Sequence, residues 1–330
     1  MIARRAFIAL LGAAATPSIW PLGARAQQPG LPVIGFLHLA SSDAIADRLR
    51  AFHRGLEEVG LVEGDNVTIV YRWAEGRPER LPELAAELVQ RRVALIVAPA
   101  SNDVAAAALA ATRTIPILFA VSEDPVKLGF VSSLARPSGN ATGVNFLNAE
   151  LYPKRLEFLR ELVPGVKHIA LLVNPNLART TSTIQEVGAA ATAMGLQIQV
   201  VNASTNAEID AAFVKFEHER PDALFVDGNP VFNSRRLQLS MLSARYALPA
   251  SYSSRAYPEY GGLMSYGTDV SEAFRQLGVY AGRILKGAKP GDLPVVQSSK
   301  FEMVINAQTA RMLGLQIPQS LLATADEVIE

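Results

Sequence analysis

Cysteine is absent from all 330 residues of the chain. Its absence excludes disulfide bonds, thiolate metal sites, a cysteine nucleophile and the acylated cysteine that anchors a bacterial lipoprotein. An excess of one charge is also missing, because 31 basic residues balance 31 acidic ones. No basic stripe runs along a predicted helix, so nucleic acid is not among the partners that the sequence predicts.

Recognisable catalytic motifs are missing too. The chain has no phosphate-binding loop, no G-x-G-x-x-G and no G-x-S-x-G nucleophile elbow. Its histidines show neither the i, i+4 pairing nor the clustering of a metal site; they are His38, His53, His168 and His218. We therefore predict no enzyme activity, no catalytic residue, no metal and no cofactor.

The N-terminal apolar run is too short to span a membrane. It covers about ten residues from Ala6 to Ala15, whereas a spanning helix needs roughly 20. Arg4 and Arg5 precede the run and a small-x-small triplet ends at Ala26, which is the order of a cleaved signal peptide. We predict a signal peptide at residues 1–26, cleavage near Ala26, a periplasmic location and no stable membrane anchor. The paired arginines resemble a twin-arginine signal, and the general secretory route stays equally open.

Short runs of Val, Ile and Leu alternate with segments of helical period, which predicts an α/β fold with parallel strands. The predicted strands are Val33–His38, Val67–Trp73, Ala94–Ala98, Ile117–Val121, Thr142–Phe146, His168–Val173, Gln197–Asn202, Ala223–Val226, Ala250–Tyr252, Gly262–Tyr266 and Phe301–Ile305. The predicted helices are Ile45–Val59, Leu81–Arg91, Val104–Thr112, Tyr152–Val163, Thr181–Met194, Glu208–Glu219, Asn233–Tyr246 and Val270–Leu285.

This order predicts two doubly wound parallel-sheet lobes of similar build. We expect the Val270 helix to return to the first lobe and the chain to re-enter the second after Pro290. The predicted N-terminal lobe is 30–145 plus 268–293, and the C-terminal lobe is 146–267 plus 294–330. Three connections between the lobes permit a clamshell motion.

Polar residues follow most predicted strands, where open parallel sheets bind ligands. A residue of this kind is often only a helix cap, but five such loops face one expected cleft. Asp227 is the first candidate partner for an ammonium group and Asp124 the second, and a helix start suits a carboxylate. The candidate ligand-binding residues are Ser41, Ser42, Ser101, Asn102, Ser122, Asp124, Asn174, Asn176, Asp227, Tyr252 and Tyr266.

Several segments together resemble a known family. They are Leu61–Val67, Tyr71–Arg77, Asp124–Val126, Ser133–Gly143, Gly261–Gly267 and Ala325–Glu330. The chain resembles the ABC-transporter substrate-binding family that includes tryptophan-binding members. The resemblance implies a type I periplasmic-binding fold that closes on a small solute and delivers it to an inner-membrane permease. It also implies that Tyr252 and Tyr266 lie near the second hinge crossing and that the pocket-lining loops are those containing Ser41, Ser101, Asn102, Ser122, Asn174, Asn176 and Asp227.

We therefore expect a monomeric, non-catalytic receptor for an amino acid or an aromatic or amphipathic small acid. Two alternatives stay open. One is a sensor domain of the same fold that signals to a membrane partner. The other is an exported α/β hydrolase whose active site is assembled from distant residues, which would turn over its ligand where a receptor returns it unchanged.

Overall fold

The computed structural model describes residues 30–298 and 300–330, and the predicted signal peptide lies outside them. The first sheet is parallel and has the spatial order β2-β1-β3-β4-β5-β11. Most residues of its inner strands are buried, because helices cover both faces of the sheet. Its strands are β1 Val33–His38, β2 Thr68–Trp73, β3 Leu95–Ala98, β4 Ile117–Val121, β5 Ala141–Asn145 and β11 Val296–Gln297.

The second sheet repeats this arrangement in the order β7-β6-β8-β9-β10-β12-β13. Its pairs are parallel except for β10 with β12, which is antiparallel. Its strands are β6 His168–Val173, β7 Gln197–Asn202, β8 Ala223–Val226, β9 Ala250–Tyr252, β10 Met264–Thr268, β12 Phe301–Asn306 and β13 Glu327–Ile329. Each sheet with its helices is called a lobe below.

Helices lie on both faces of each sheet, and side-chain alternation along the strands divides each core in two. In β1, Ile34 and Phe36 face one helical layer, whereas Leu37 faces the other. The helices are α1 Ala46–Glu57, α2 Leu81–Gln90, α3 Asn102–Ala111, α4 Tyr152–Leu162, α5 Thr180–Ala193, α6 Asn206–Glu219, α7 Pro230–Ser234, α8 Arg236–Arg245, α9 Ala256–Glu259, α10 Val270–Leu285, α11 Ala307–Met312 and α12 Gln319–Thr324.

Helix α10 follows a strand of the second sheet but packs in the core of the first lobe, against α1. The two helices approach so closely at Gly55 that a Cβ there would lie 1.9 Å from the carbonyl oxygen of Arg275. Glycine is therefore required at this crossing by the space between the backbones. The predicted return of the Val270 helix to the first lobe is confirmed.

The chain passes between the two sheets three times: after β5, between β10 and α10, and between β11 and β12. The first two crossings touch, because the Thr268 hydroxyl donates to the carbonyl oxygen of Phe146. Asp269 caps α10 at the second crossing by accepting from the backbone N–H groups of Ser271 at 2.9 Å and Glu272 at 3.3 Å. The predicted architecture of two doubly wound lobes with three crossings is confirmed. The predicted lobe boundaries stay a prediction.

Several predicted elements differ from the structure. The helix predicted over Asn233–Tyr246 is two helices, α7 and α8, because Asn229 and Pro230 begin a short helix of their own. The strand predicted at Gly262–Tyr266 is β10, two residues later. A further strand, β13, follows Phe301–Asn306 after two helices, α11 and α12, of six residues each, which are too short to show a clear helical period. In the part of the chain that the structure describes, no helix is long and apolar enough to cross a membrane.

Candidate functional site

The strand order reverses between β1 and β3 in the first sheet, and between β6 and β8 in the second. Such a reversal opens a crevice beyond the carboxyl ends of the strands, where open α/β sheets bind ligands. The loops that follow β3, β4, β6, β8 and β9 meet around one space between the lobes, which we call the central cavity. Its lining includes Ser101, Asn102 and Ser122 of the first lobe and Gly228, Asn233 and Ser253 of the second.

The two lobes are in contact around this cavity. Asp103 Oδ1 accepts from the backbone N–H of Ala178 at 3.2 Å. Glu123 Oε1 lies 3.5 Å from Arg179 Nε and accepts from the Ser182 hydroxyl at 3.3 Å. The cavity leaves about 30 Å³ for the centres of water-sized molecules, which is room for water but not for an organic solute. The structure is therefore a closed form, and the lobes must part to admit a ligand larger than water.

Helix α3 begins at the cavity. Ser101 adopts an extended backbone and caps the helix, with its Oγ accepting from the N–H of Asp103 at 3.2 Å. The preceding Ala100 has φ of +66°, a left-handed conformation that a residue with a Cβ rarely adopts. Such strain persists where the surroundings enforce it, often at binding sites. Two predicted site residues, Ser101 and Asn102, therefore lie at a strained helix start that faces both lobes.

Asp227 lies behind the cavity and is only 1% exposed. Its carboxylate accepts from the Tyr152 hydroxyl at 3.1 Å and the Asn229 amide at 3.2 Å. The guanidinium of Arg179 lies 3.5 Å away and itself contacts Tyr152. The ammonium-binding role predicted for Asp227 stays a prediction, but this carboxylate already has a cationic partner within the chain.

Arg155 lies deeper still and is 1% exposed. One terminal nitrogen donates to the carbonyl oxygens of Val226 and Ser251, each at 2.9 Å, and the guanidinium lies 4.0 Å from the ring centre of Phe225. Burial lowers the pKa of Arg155 to about 9, and the nearby Asp227 partly offsets the decrease. The side chain ties α4 to the ends of β8 and β9, and so supports the loops that carry the site.

Two open grooves flank the central cavity. The Ser41 groove, of about 670 Å³, is lined by Ser41 and Asn176 among others. The Glu123 groove, of about 590 Å³, is lined by Glu123, Asp124 and Tyr152 and shares Ser122 with the central cavity. Three further predicted site residues, Ser41, Asp124 and Asn176, thus lie along the same inter-lobe opening.

The other polar candidates lie outside these spaces. Ser42 is exposed and lies 3.4 Å from Asp43 Oδ1. Asn174 is 1% exposed, and its side-chain oxygen accepts from the N–H of Asn176 at 3.0 Å. This bond shapes the loop after β6, so Asn174 positions that loop.

The two predicted tyrosines pack within the second lobe. Tyr252 is fully buried, stacks on Tyr257 with ring centres 4.1 Å apart, and shares a 2.9 Å hydrogen bond with the Ser243 hydroxyl. Tyr266 packs edge-to-face on Phe158 with ring centres 5.0 Å apart. Neither tyrosine lines the central cavity or its two grooves. We therefore leave both out of the proposed site.

The sequence prediction missed several side chains that line the central cavity, notably Arg48, Arg179 and Asn233. Arg48 and Asn233 belong to helices, and Arg179 immediately precedes one. A rule that selects only residues after strands cannot select these positions, because the direction of a helical side chain depends on how the helix packs. Nothing in the local sequence indicates that these three side chains face the cavity.

Two lobes of doubly wound sheet, a cleft between their strand ends and three crossings define a type I periplasmic-binding fold. The model of the ABC transporter substrate-binding protein family matches residues 33–329. The chain belongs to that family, which is a family of solute-binding proteins.

Three similar proteins are informative. A tyrosine-binding protein of Clostridioides difficile is 27% identical over 284 residues, which cover 86% of this chain and 81% of the relative. The structure of an ABC domain from Streptococcus pneumonia in complex with L-Trp has a TM-score of 0.81 and 28% identity, and covers 91% of this chain and 100% of that one. The structure of a conserved domain protein from Vibrio cholerae has a TM-score of 0.82 and 26% identity, and the match covers 90% of this chain and 99% of that one.

Proposed function

We propose that this protein is the amino-acid-binding component of an ABC import system. Its two lobes close on an amino acid with an aromatic or amphipathic side chain, and the closed form delivers the solute to a membrane permease. The observation that carries the proposal is the central cavity, where loops from the strand ends of both sheets meet in a chain of the substrate-binding family.

The chemistry of the cleft supports an amino acid. The centre offers hydroxyl, amide and guanidinium groups from both lobes, which suit a polar head group once the lobes part enough to admit it. The adjoining Glu123 groove offers Tyr152, Leu128 and Pro153, against which a larger side chain can lie. The relatives that bind tyrosine and L-Trp support the same class of ligand.

Closure supplies the signal to the partner. A ligand that contacts both lobes binds the closed form better than the open form, and so shifts the population towards closure. The contacts of Asp103 and Glu123 with the second lobe exist only when the lobes meet. We propose that the permease recognises this closed pair of lobes, and that the protein works in the periplasm after removal of residues 1–26.

A thermal-shift screen against the twenty L-amino acids, their D-enantiomers and simple sugars tests the proposal. A ligand at 100 times its Kd stabilises the native state by about 2.7 kcal/mol, which raises the Tm by roughly 5 °C for a protein of this size. We expect L-tryptophan or L-tyrosine to give such a shift and glucose to give none.

Mass spectrometry of small molecules released from the purified protein provides the companion measurement. The ligand must be recovered unchanged after prolonged incubation, since a hydrolase would convert it. If no amino acid stabilises the protein and none is released from it, the proposed ligand class is wrong.

A further inference from the structure

Three polar side chains in the central cavity carry groups that form no hydrogen bond or ion pair with the described residues. They are the guanidinium of Arg48, from α1 of the first lobe, the amide of Asn102, from α3, and the amide of Asn233, from α7 of the second lobe. Polar groups removed from water are nearly always hydrogen-bonded, so an unpaired set in one cavity requires an explanation.

Arg48 is half-buried, and its guanidinium forms no hydrogen bond or ion pair with any residue that the structure describes. Burial and the positive charge of Arg236 lower the pKa of Arg48 to about 10, so the side chain stays protonated at neutral pH. Asp47 and Asp269 act on the pKa of Arg48 in the opposite sense, but neither forms an ion pair with it. A cation that lines the cavity without an ion-pair partner among the described residues favours an anionic ligand.

The two asparagines provide hydrogen-bond acceptors that can bind a cationic group. The Oδ1 atoms of Asn102 and Asn233 are buried and accept no hydrogen bond from the described residues. Asn102 as a whole is 6% exposed. Amide carbonyl oxygens of this kind can accept from an ammonium group, and here they come from opposite lobes.

The remaining charges near the cavity are already engaged. Arg179 contacts both Glu123 and Asp227. Asp103 accepts from the N–H of Ala178 and the hydroxyl of Ser101. Arg179 Nε has its ion pair with Glu123 but no hydrogen bond. The Arg48 guanidinium and the two amide oxygens therefore remain to complement one carboxylate and one ammonium group.

We propose that Arg48, Asn102 and Asn233 form the subsite for the head group of an α-amino acid. The Arg48 guanidinium binds the α-carboxylate, and the amide oxygens of Asn102 and Asn233 accept from the α-ammonium group. Because Arg48 and Asn102 belong to the first lobe and Asn233 to the second, the head group joins the lobes. This assignment rests on the proposed function, and it gives the ammonium group to neutral amides where the sequence suggested Asp227.

Isothermal titration with L-tryptophan, L-tyrosine, L-tryptophanamide and 3-(indol-3-yl)propionate tests the carboxylate assignment first. The amide lacks the carboxylate, and the propionate lacks the ammonium group. Arg48→Gln is expected to weaken binding of the two amino acids by roughly 30-fold or more and to leave binding of the amide within twofold. The matched control is Arg54→Gln on the exposed face of the same helix, which should bind like the wild type.

The ammonium assignment is tested with Asn102→Ala and Asn233→Ala. Both variants should bind the amino acids roughly tenfold more weakly, because a hydrogen bond to a charged group is lost, and they should bind the propionate within twofold of the wild type. Equal losses for amino acid and propionate would show that the amides do not bind the ammonium group, and would overturn that assignment.

Thermal melting of each variant separates a binding defect from a folding defect. If Arg48→Gln does not fold, Arg48→Met replaces it. This variant also removes the charge, and a preference for the acid over its amide that is unchanged from the wild type would overturn the carboxylate assignment. If the wild type binds L-tryptophan or L-tyrosine and the Arg48 variants bind it equally well, this subsite is refuted but the proposed function is not. A wild type that binds neither amino acid refutes the proposed ligands and the subsite together.

Discussion

The contact between Glu123 and Arg179 predicts how much one ion pair contributes to lobe closure. The pair joins the lobes at 3.5 Å, with the two side chains 21% and 7% exposed. In Glu123→Gln the amide oxygen can still accept from the Ser182 hydroxyl, so the substitution removes mainly the charge. Arg179 keeps Asp227 as a partner and is not left as an unpaired buried cation.

The expected loss is therefore smaller than for a fully isolated buried pair. Breaking a buried ion pair typically costs about 3–5 kcal/mol, and an exposed pair contributes about 0–1 kcal/mol. For this partly buried pair, with its remaining partner, we expect about 1.5 kcal/mol. That free energy corresponds to roughly a tenfold change in an equilibrium constant.

Isothermal titration and stopped-flow fluorescence with L-tryptophan measure the effect. Because the ion pair exists in the closed form, Glu123→Gln should raise Kd roughly tenfold, mainly through faster dissociation. Small-angle scattering of the unliganded variant should show a larger radius of gyration than the wild type. Glu150→Gln is the matched control, since Glu150 lines the same groove without an ion pair among the described residues.

Two outcomes would refute this reasoning. An unchanged Kd in Glu123→Gln would show that the pair does not stabilise closure. Equal effects of Glu123→Gln and Glu150→Gln would show that the negative charge of the groove matters as a whole, and not the contact between the lobes.

Three further predictions concern stability and packing. Burial lowers the pKa of His38 to about 3, so below pH 6.5 the unfolded chain takes up a proton that the native state does not. In urea titrations between pH 6.5 and 4, the wild type should therefore lose about 3 kcal/mol more stability than His38→Asn. Equal losses in the two proteins would contradict this. Gly55→Ala should lower the Tm by roughly 5 °C or more, since the new Cβ would lie 1.9 Å from a backbone oxygen. Gly188→Ala is the control: Gly188 lies in the middle of a helix with nothing within 4 Å of the added Cβ, so the Tm should stay unchanged or rise. Tyr252→Phe should lower stability by about 1 kcal/mol through one lost hydrogen bond and leave the Kd for L-tryptophan unchanged. A higher Kd with unchanged stability would show that Tyr252 takes part in ligand binding.

The strands show where sequence reasoning succeeds. The predicted bounds of β1, β4, β6, β7, β8 and β9 match the structure residue for residue. Except for β7, which lies at a sheet edge and is mostly exposed or half-buried, these strands are buried on both faces, so each appears in the sequence as a largely apolar run between polar loops. Strand β11 was missed because two residues paired at a sheet edge leave no such run.

The site shows where the same reasoning stops. The rule that ligands bind beyond strand ends located Ser101, Asn102 and Ser122 at the central cavity. It also selected Tyr252, whose strand end turns its ring into the core. Arg48 was not selected, because nothing in its sequence neighbourhood distinguishes it from the exposed Arg50 two residues later.

The sequence by itself determined the α/β class, the two doubly wound lobes with three crossings, and the loops at which the lobes meet, because these depend on local apolar periodicity and chain order. Only the tertiary structure decided which polar side chains are already paired and which are left unpaired in the cleft. That distinction depends on partners from distant parts of the chain: Asp227 forms an ion pair with Arg179, while Arg48 lines the cavity and forms no ion pair with the described residues. Charge pairing across a fold is a property of three-dimensional neighbours, so no linear pattern of residues records it.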